Sequence, residues 1–376
     1  MRYREIGNTG EKVSILGFGC MRFPLKDNKI DKKKSREMLI YAIDNGINYI
    51  DTAYPYHNGE SEIFVGEVLK DGYREKVKLA TKLPSWLVNK REDMYKYIYE
   101  QLEKLQTDYI DFYLIHNLNK KDYTRLRKNG LFDFIKDIKE RGIVKHIGFS
   151  FHDTLDVFKE IVDDYDWEFA QIQYNYIDED YQAGTDGLMY AREKGLGIVI
   201  MEPLRGGALV NNLSSDITNI INNSSTSRNA VGWAFKFLYD KKEIDVVLSG
   251  MSSLEQVVEN INIASKEGIK ESMSKYEKET IKELRDMFKS KIRVNCTGCK
   301  YCIPCPNSVK IPNCFELLNN AFMFNDIGKN KEQYNMFLVG SGNDAKKCVE
   351  CGLCEEKCPQ HINIIEKLKE VKDTFK

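Results

Sequence analysis

Four side chains of complementary acid–base character fall in chain order within the first third of this 376-residue sequence: Asp51, Tyr56, Lys82 and His116. Asp51 closes the run Ile47-Asn48-Tyr49-Ile50, and Tyr56 follows just past Pro55. Lys82 ends Val77-Lys78-Leu79-Ala80-Thr81, and His116 ends the run from Tyr109 to Ile115. Short apolar runs that stop at a polar residue before a turn are how buried parallel strands finish. Strands that neighbour one another in a barrel would bring the four groups to one face. A phenol titrates near ~10, and an adjacent ammonium lowers that value, so the set suits delivery of a proton. Cysteine supplies a second chemistry. Cys20 stands alone, and the other nine of the ten cysteines all follow residue 295.

The elements that must position these groups alternate. Strands are predicted at 13–19, 47–51, 77–82, 109–116, 145–150, 169–174, 196–201 and 244–249. Helices are predicted at 60–70, 91–105, 131–141, 153–164, 185–194, 227–240 and 253–266. Asp31 caps a further helix that runs to Asn45 and stops at Gly46. Eight strands alternating with helices over roughly 260 residues is the spacing of a closed (β/α)8 TIM barrel. No G-x-G-x-x-G follows the first strand, which counts against a doubly wound dinucleotide fold. The polar loop 222–227 stands where a barrel could carry a lid. We therefore read 1–270 as the barrel, 271–290 as a charged linker helix and 291–376 as a small α-helical, ferredoxin-like domain, with a helix at 314–324.

Composition excludes some classes. A net charge of −1 with 30% charged residues advertises neither nucleic acid nor an anionic membrane as partner. No stretch approaches ~18 consecutive apolar residues and Met1–Gly7 has no apolar signal core, so a cytoplasmic location is expected.

The barrel portion, roughly 1–265, resembles the aldo-keto reductase superfamily. Asp51-Thr52-Ala53-x-x-Tyr56, Lys82 and Leu114-Ile115-His116 stand where that family keeps its catalytic four, and Gly148-Phe149-Ser150, Gln171 and Leu248–Ser252 extend the match. The resemblance implies an NAD(P)-dependent reductase of aldehydes and ketones, which in the reverse sense oxidises an alcohol by hydride transfer to the nicotinamide. Tyr56 is then the general acid and Lys82 the cation that tunes it; Asp51 partners Lys82, and His116 orients the carbonyl oxygen. Singly, Asp51 reads as a strand-end cap and His116 as a satisfied core histidine; together and in order they read as a site. Ser150 and Gln171 match the family's nicotinamide-amide contacts, with Phe151 and His152 in place of the usual Asn neighbourhood. Met201 stands where an aromatic often stacks on the ring. Gly206 and Gly207 could admit the pyrophosphate to backbone amides or form a plain turn. The Lys-Ser and Arg that grip a 2′-phosphate are replaced by Gly250-Met251 and Gln256, while Glu259 and Asn260 keep the adenine side; NAD and NADP both stay open.

In the tail, Cys348-x2-Cys351-x2-Cys354-x3-Cys358-Pro359 is the bacterial ferredoxin run. The upstream copy, Cys296-x2-Cys299-x2-Cys302-x2-Cys305-Pro306, is one residue shorter before its last cysteine. In two-cluster ferredoxins the fourth ligand comes from the other run. One [4Fe–4S] cluster is therefore assigned to Cys296, Cys299, Cys302 and Cys358, and a second to Cys348, Cys351, Cys354 and Cys305, with Cys314 the alternative to Cys305. Cys20 is read as an inert barrel thiol.

Nicotinamide moves two electrons together and cubane clusters move them singly, so a flavin is the group that would divide the pair, although no recognisable flavin motif is present. The tail can take electrons from a ferredoxin or flavoprotein, dock a partner, or serve structure alone. The reading is an oxidoreductase acting on a small carbonyl substrate. The alternative is an electron-transfer or partner-binding protein whose barrel is a nucleotide- or flavin-binding scaffold.

Overall fold

A computed structural model describes residues 1–296, 298, 302–358 and 360–376. The chain opens with β1 (Tyr3–Glu5) and β2 (Lys12–Ser14), an antiparallel pair in which Tyr3 faces Ser14. The first barrel strand is β3 (Leu16–Gly19). The predicted strand 13–19 is thus two strands. Its break has a local cause: the Ser14 N–H donates to Asn48 Oδ1 at 2.6 Å and the Ser14 hydroxyl to the Leu16 carbonyl at 2.7 Å, while the Ile15 N–H returns to Arg2. Ile6 and Val13 from the hairpin are fully buried in one cluster with the barrel-lining Tyr49, Ala80, Phe112, Phe169 and Val246. The Gly7 N–H donates to Asp245, which also binds the Ile198 N–H and Arg192. The hairpin therefore plugs the end of the barrel where its strands begin.

A small hairpin of β4 (Leu25–Lys26) and β5 (Lys29–Ile30) precedes α1 (Lys32–Asp44), whose first turn is capped by the Asp31 side chain accepting from the Lys34 N–H. Strands and helices then alternate: β6 (Tyr49–Asp51), α2 (Glu60–Val68), β7 (Lys78–Leu83), α3 (Arg91–Leu105), β8 (Ile110–Leu118), then α4 (Lys120–Lys128) and α5 (Leu131–Glu140). After these come β9 (Val144–Phe151), α6 (Leu155–Asp163), β10 (Phe169–Gln173), α7 (Gly184–Glu193) and β11 (Gly197–Met201). The series continues with α8 (Ser215–Asn222), α9 (Ala230–Asp240), β12 (Val246–Ser249) and α10 (Leu254–Glu267). Strands β3 and β6–β12 close into one parallel barrel, in sequence order around the ring. This is the expected (β/α)8 architecture.

Two compact units divide the chain: 1–206 with 231–273, and 207–230 with 274–376. In the second unit α11 (Lys275–Ser290) starts in a capping box, Ser274 accepting from the Glu277 N–H and Glu277 from the Ser274 N–H. Lys291 donates to Ser214 at 2.5 Å just ahead of α8, and Arg228 pairs with Glu277. Beyond it lie α12 (Ile311–Met323), α13 (Ile327–Tyr334), α14 (Leu353–Glu356) and α15 (Ile364–Thr374). Phe315, Leu318, Tyr334, Leu368, Val371 and Phe375 form their shared core. Among the described residues, no helix is long and apolar enough to cross a membrane.

One close approach in the barrel unit bears on the site. A Cβ at Gly66 of α2 would stand 2.6 Å from the Lys104 carbonyl oxygen and 2.7 Å from the Leu105 carbonyl carbon of α3. Backbone cannot yield as a side-chain tip does, so Gly66→Ala must push the helices apart. We expect it to cost about 1–3 kcal/mol in denaturant titration, the usual scale of overpacking; an unchanged midpoint would show that the helix contact is loose.

Candidate functional site

Asp51 is the last residue of β6, paired with Gly19 on one side and Ala80 on the other. Lys82 lies near the end of β7, opposite Leu114. In β8 the ladder to β9 shifts register between Ile115 and Leu118, and Asn117 is left-handed at φ +54°. That irregularity sits beside His116 at the end of the strand. Tyr56 opens a short 3₁₀ turn in which His57 and Asn58 are left-handed, at φ +52° and +55°, before Gly59 at +90°. The turn brings the phenol back over the strand ends.

All four groups meet. The Lys82 ammonium is fully buried; it donates to Asp51 Oδ1 at 2.6 Å and to the Thr52 carbonyl at 2.8 Å, and stands 3.5 Å from the Tyr56 hydroxyl. The last distance is long for a hydrogen bond. The Tyr56 and His116 rings meet edge to face at 6.1 Å.

The electrostatics qualify one expectation. Burial raises the Tyr56 phenol; the Lys82 ammonium pulls it down but does not overcome burial, and Asp51 adds to the rise. The expected downward pull is present, yet the net shift is upward, and the phenol is protonated at neutral pH. Burial works against the Lys82 charge, but Asp51 and then Tyr56 outweigh it, so the ammonium is held above its ordinary range. The His116 imidazole is pushed well below its ordinary value by burial, then by Lys82 and His152, and is neutral. Asp51 Oδ2 and His116 Nδ1 are buried and have no hydrogen-bond partner.

Beside these groups, Ser150 of β9 and Gln171 of β10 are register partners. Ser150 Oγ accepts from the Asn117 N–H at 2.7 Å, and Gln171 Nε2 lies 3.6 Å from the Met201 sulfur at the end of β11. Gln171 is 2% exposed, and its Oε1 has no partner. A buried acceptor without a donor fits a carboxamide N–H, as the nicotinamide amide would offer. Gly206 is left-handed after a left-handed Arg205, whose Nε lies 3.5 Å from Asp178. After β12, the next strand round the ring, Asn260 donates to Ser249 Oγ at 3.0 Å and Gln256 accepts from the Ser252 N–H at 2.8 Å. Glu259 lies on the same helix, α10.

Sequence reading missed two neighbours. The aliphatic stem of Arg22 lies against Gly250, and its carbonyl accepts from Ser252 Oγ at 2.9 Å, so a basic residue from the loop after β3 borders this rim. Trp86 packs 5.2 Å from the His116 ring. Its signal was its place, four residues beyond Lys82. Cys20, read as inert, is fully buried and its thiol is pushed up by burial and then by Asp51.

In the second unit, Cys302, Cys305, Cys348, Cys351 and Cys354 line one recess of about 70 Å³ with Pro304, Pro306, Val349, Leu353 and Lys357. Cys296 and Cys358 pack against the same unit's apolar core. Cys299 lies outside the described residues. Cys314 is fully buried on α12, away from that recess lining, and its thiol is pushed up to about 12 by burial. Among the described residues, no three Cys, His, Asp or Glu groups are drawn together as ligands of a single metal ion.

Comparison with known proteins agrees with this geometry. The 4Fe-4S dicluster domain matches residues 295–363. L-galactose dehydrogenase of Arabidopsis thaliana is 28% identical over 278 residues, 69% of this chain and 86% of the relative. The uncharacterized oxidoreductase YqkF of Bacillus subtilis is 26% identical over 70% of this chain and 92% of its own length. Among solved structures, the aldo-keto reductase AKR11C1 of Bacillus halodurans (holo form) superposes with a TM-score of 0.65 at 26% identity, over 76% of this chain and 96% of that one. The Aldo/keto reductase family pattern spans residues 15–284, and with the closed barrel and the Asp51, Tyr56, Lys82 and His116 cluster it places this chain in the aldo/keto reductase family.

Proposed function

We propose that the barrel interconverts a carbonyl compound and its alcohol with NAD or NADP, and that the C-terminal unit carries two [4Fe–4S] clusters. One observation carries the first part: a fully buried ammonium, Lys82, held by Asp51 at 2.6 Å and facing the Tyr56 hydroxyl at 3.5 Å. A bound nicotinamide dinucleotide supplies or accepts the hydride, and Ser150, Gln171 and Met201 are the residues that would hold its carboxamide end.

The chain's own groups manage the oxygen. As the carbonyl carbon gains hydride, its oxygen becomes an alkoxide, and the Tyr56 hydroxyl gives that oxygen its proton. The Lys82 cation favours the phenolate left behind. Asp51 and the Thr52 carbonyl keep Lys82 charged where water cannot reach it. His116, neutral across the physiological range, holds the carbonyl oxygen by a hydrogen bond without adding a charge. A phenol raised above its ordinary value keeps the acid form well into alkaline pH. Reduction should therefore be flat through neutrality and fall only on the alkaline side. In the oxidative direction the phenolate is the base, and the rate should rise with pH.

For the clusters we assign Cys296, Cys299, Cys302 and Cys358 to one and Cys348, Cys351, Cys354 and Cys305 to the other; the recess shared by the last four supports Cys305 over Cys314. Such clusters supply one-electron transfer. The exposed Cys351, Val349 and Leu353 at the recess support contact with a ferredoxin or flavoprotein.

Two measurements test this reading. Tyr56→Phe should lower NADH- or NADPH-dependent reduction of an aldehyde panel by at least about 10²-fold, and rates equal to wild type would reject Tyr56 as the acid. Anaerobically purified chain should be brown with about eight irons; Cys305→Ser should drop that toward about four while Cys314→Ser leaves it unchanged. Zinc in place of iron, or iron loss in the Cys314 variant alone, would overturn the assignment.

A further inference from the structure

On the helix side of the barrel wall, behind Lys82, lies a second polar cluster cut off from solvent. Glu62 of α2, Thr81 of β7, Gln101 of α3 and Tyr113 of β8 are all fully buried. Thr81 Oγ1 and Gln101 Nε2 each donate to Glu62 Oε1 at 2.6 Å. Gln101 Nε2 also reaches the main-chain carbonyl of Lys82 at 3.0 Å, and Gln101 Oε1 accepts from the Tyr113 hydroxyl at 2.8 Å. Glu62 Oε2 has no hydrogen bond; Lys104 faces it at 3.7 Å and lies 3.9 Å from the centre of the Tyr54 ring.

An apolar pair would pack this strand–helix contact at less expense, because a buried carboxylate is costly unless its placement serves something else. The connections indicate what it serves. Gln101 holds the peptide of Lys82 itself, and Thr81 is the residue before it. Glu62 sits in the first turn of α2, six residues after Tyr56, and Lys104 joins it to Tyr54, two residues before Tyr56. Both partners of the 3.5 Å contact between Lys82 and Tyr56 are thereby tied to one side chain.

We propose that Glu62 is a positioning residue for proton transfer, fixing the strand end that carries Lys82 and the loop that carries Tyr56, and lending the field of its carboxylate to both. The inference rests on Tyr56 being the acid. The groups that face Glu62 are Thr81 and Lys82 from β7, Gln101 and Lys104 from α3, Tyr113 from β8 and Tyr54 from the loop; the cations among them are Lys82 and Lys104. Burial raises the Glu62 carboxyl, and the Thr81 and Gln101 hydrogen bonds and the two lysines draw it back. When ionised, its negative charge favours the protonated forms of Lys82 and Tyr56. Removing that charge must therefore move the Tyr56 titration to lower pH.

Glu62→Gln keeps the shape and removes the charge. We expect kcat for carbonyl reduction to fall about tenfold with the nucleotide KM held within about twofold, and the alkaline limb to move down by about half a unit. The Tyr56 phenol, followed by ¹³Cζ tyrosine NMR and assigned with Tyr56→Phe, should move with it, and Glu62→Asp should return the limb toward wild type. A wild-type limb and kcat in Glu62→Gln, or a pH-independent loss that follows the drop in Tm, would overturn the proposal. Should Glu62→Gln not fold, Thr81→Val decides: it keeps the carboxylate and removes one of its donors. A kcat loss of at least about threefold at unchanged KM supports the proposal, and wild-type kcat rejects it. The phenol titration requires no turnover, so a chain inactive on every carbonyl would sink the reading of Tyr56 as the acid while this titration still decides the role of Glu62.

Discussion

The barrel site depends on keeping one ammonium charged where no water reaches it. Removing a cation from solvent costs several kcal/mol, and an unpaired lysine in such a place would shed its proton instead. Lys82 keeps its proton because Asp51 Oδ1 and the Thr52 carbonyl, from the end of β6 and the residue after it, meet it at hydrogen-bond distance. That arrangement requires β6 and β7 to be neighbours in fixed register, with Asp51 opposite Ala80, two residues before Lys82. It also requires the strands to be parallel, so that both polar side chains leave at the same end. Closure of the barrel and protonation of Lys82 are thus one constraint seen at two scales.

This explains why much of the site could be read in the sequence. Asp51, Lys82 and His116 each terminate an apolar run, and in a parallel barrel such ends share a face. Tyr56 was legible as a nearby phenol. Its approach was not, because His57 and Asn58 both take left-handed conformations; these residue types tolerate that region better than most, but the preference is too weak to place two such residues in a row. The net direction of its acidity was also hidden. A charge near a phenol can be anticipated from spacing, whereas the depth of burial that outweighs it is set by packing. The Glu62 cluster was invisible for a related reason, since Glu62, Thr81 and Gln101 read as ordinary helix and strand residues until four elements enclose them.

Elsewhere the misses follow composition. Helix α4 carries only Tyr123 and Leu126 as buried apolar residues among its charges, so periodicity gave it no voice; its signal was Asn119, whose side chain caps the Asp122 N–H. The cysteine spacings, by contrast, spoke clearly, because ligand geometry is written in short intervals. In that unit Cys296, Cys302, Cys305, Cys348, Cys354 and Cys358 pack as half-buried thiols against a core of a few large side chains such as Phe315, Tyr334 and Phe375. Were those thiols joined through clusters, as proposed, ligation would add to the stability of so small a core.

The two chemistries differ in the charge they must accommodate. A carbonyl that gains hydride presents an oxyanion, and Tyr56, Lys82 and His116 are groups that serve an oxyanion: a proton, a cation and a hydrogen bond. A carbonyl that gained a single electron would present a radical anion. The proton and cation would quench its charge but leave its unpaired spin untouched. The barrel groups therefore match a two-electron partner. The cysteine-lined recess, with Cys351, Val349 and Leu353 open to solvent, matches one-electron exchange with another protein. On the proposed reading, any exchange between the two chemistries would require a carrier able to pair electrons, because a hydride moves two at once and a cubane cluster one.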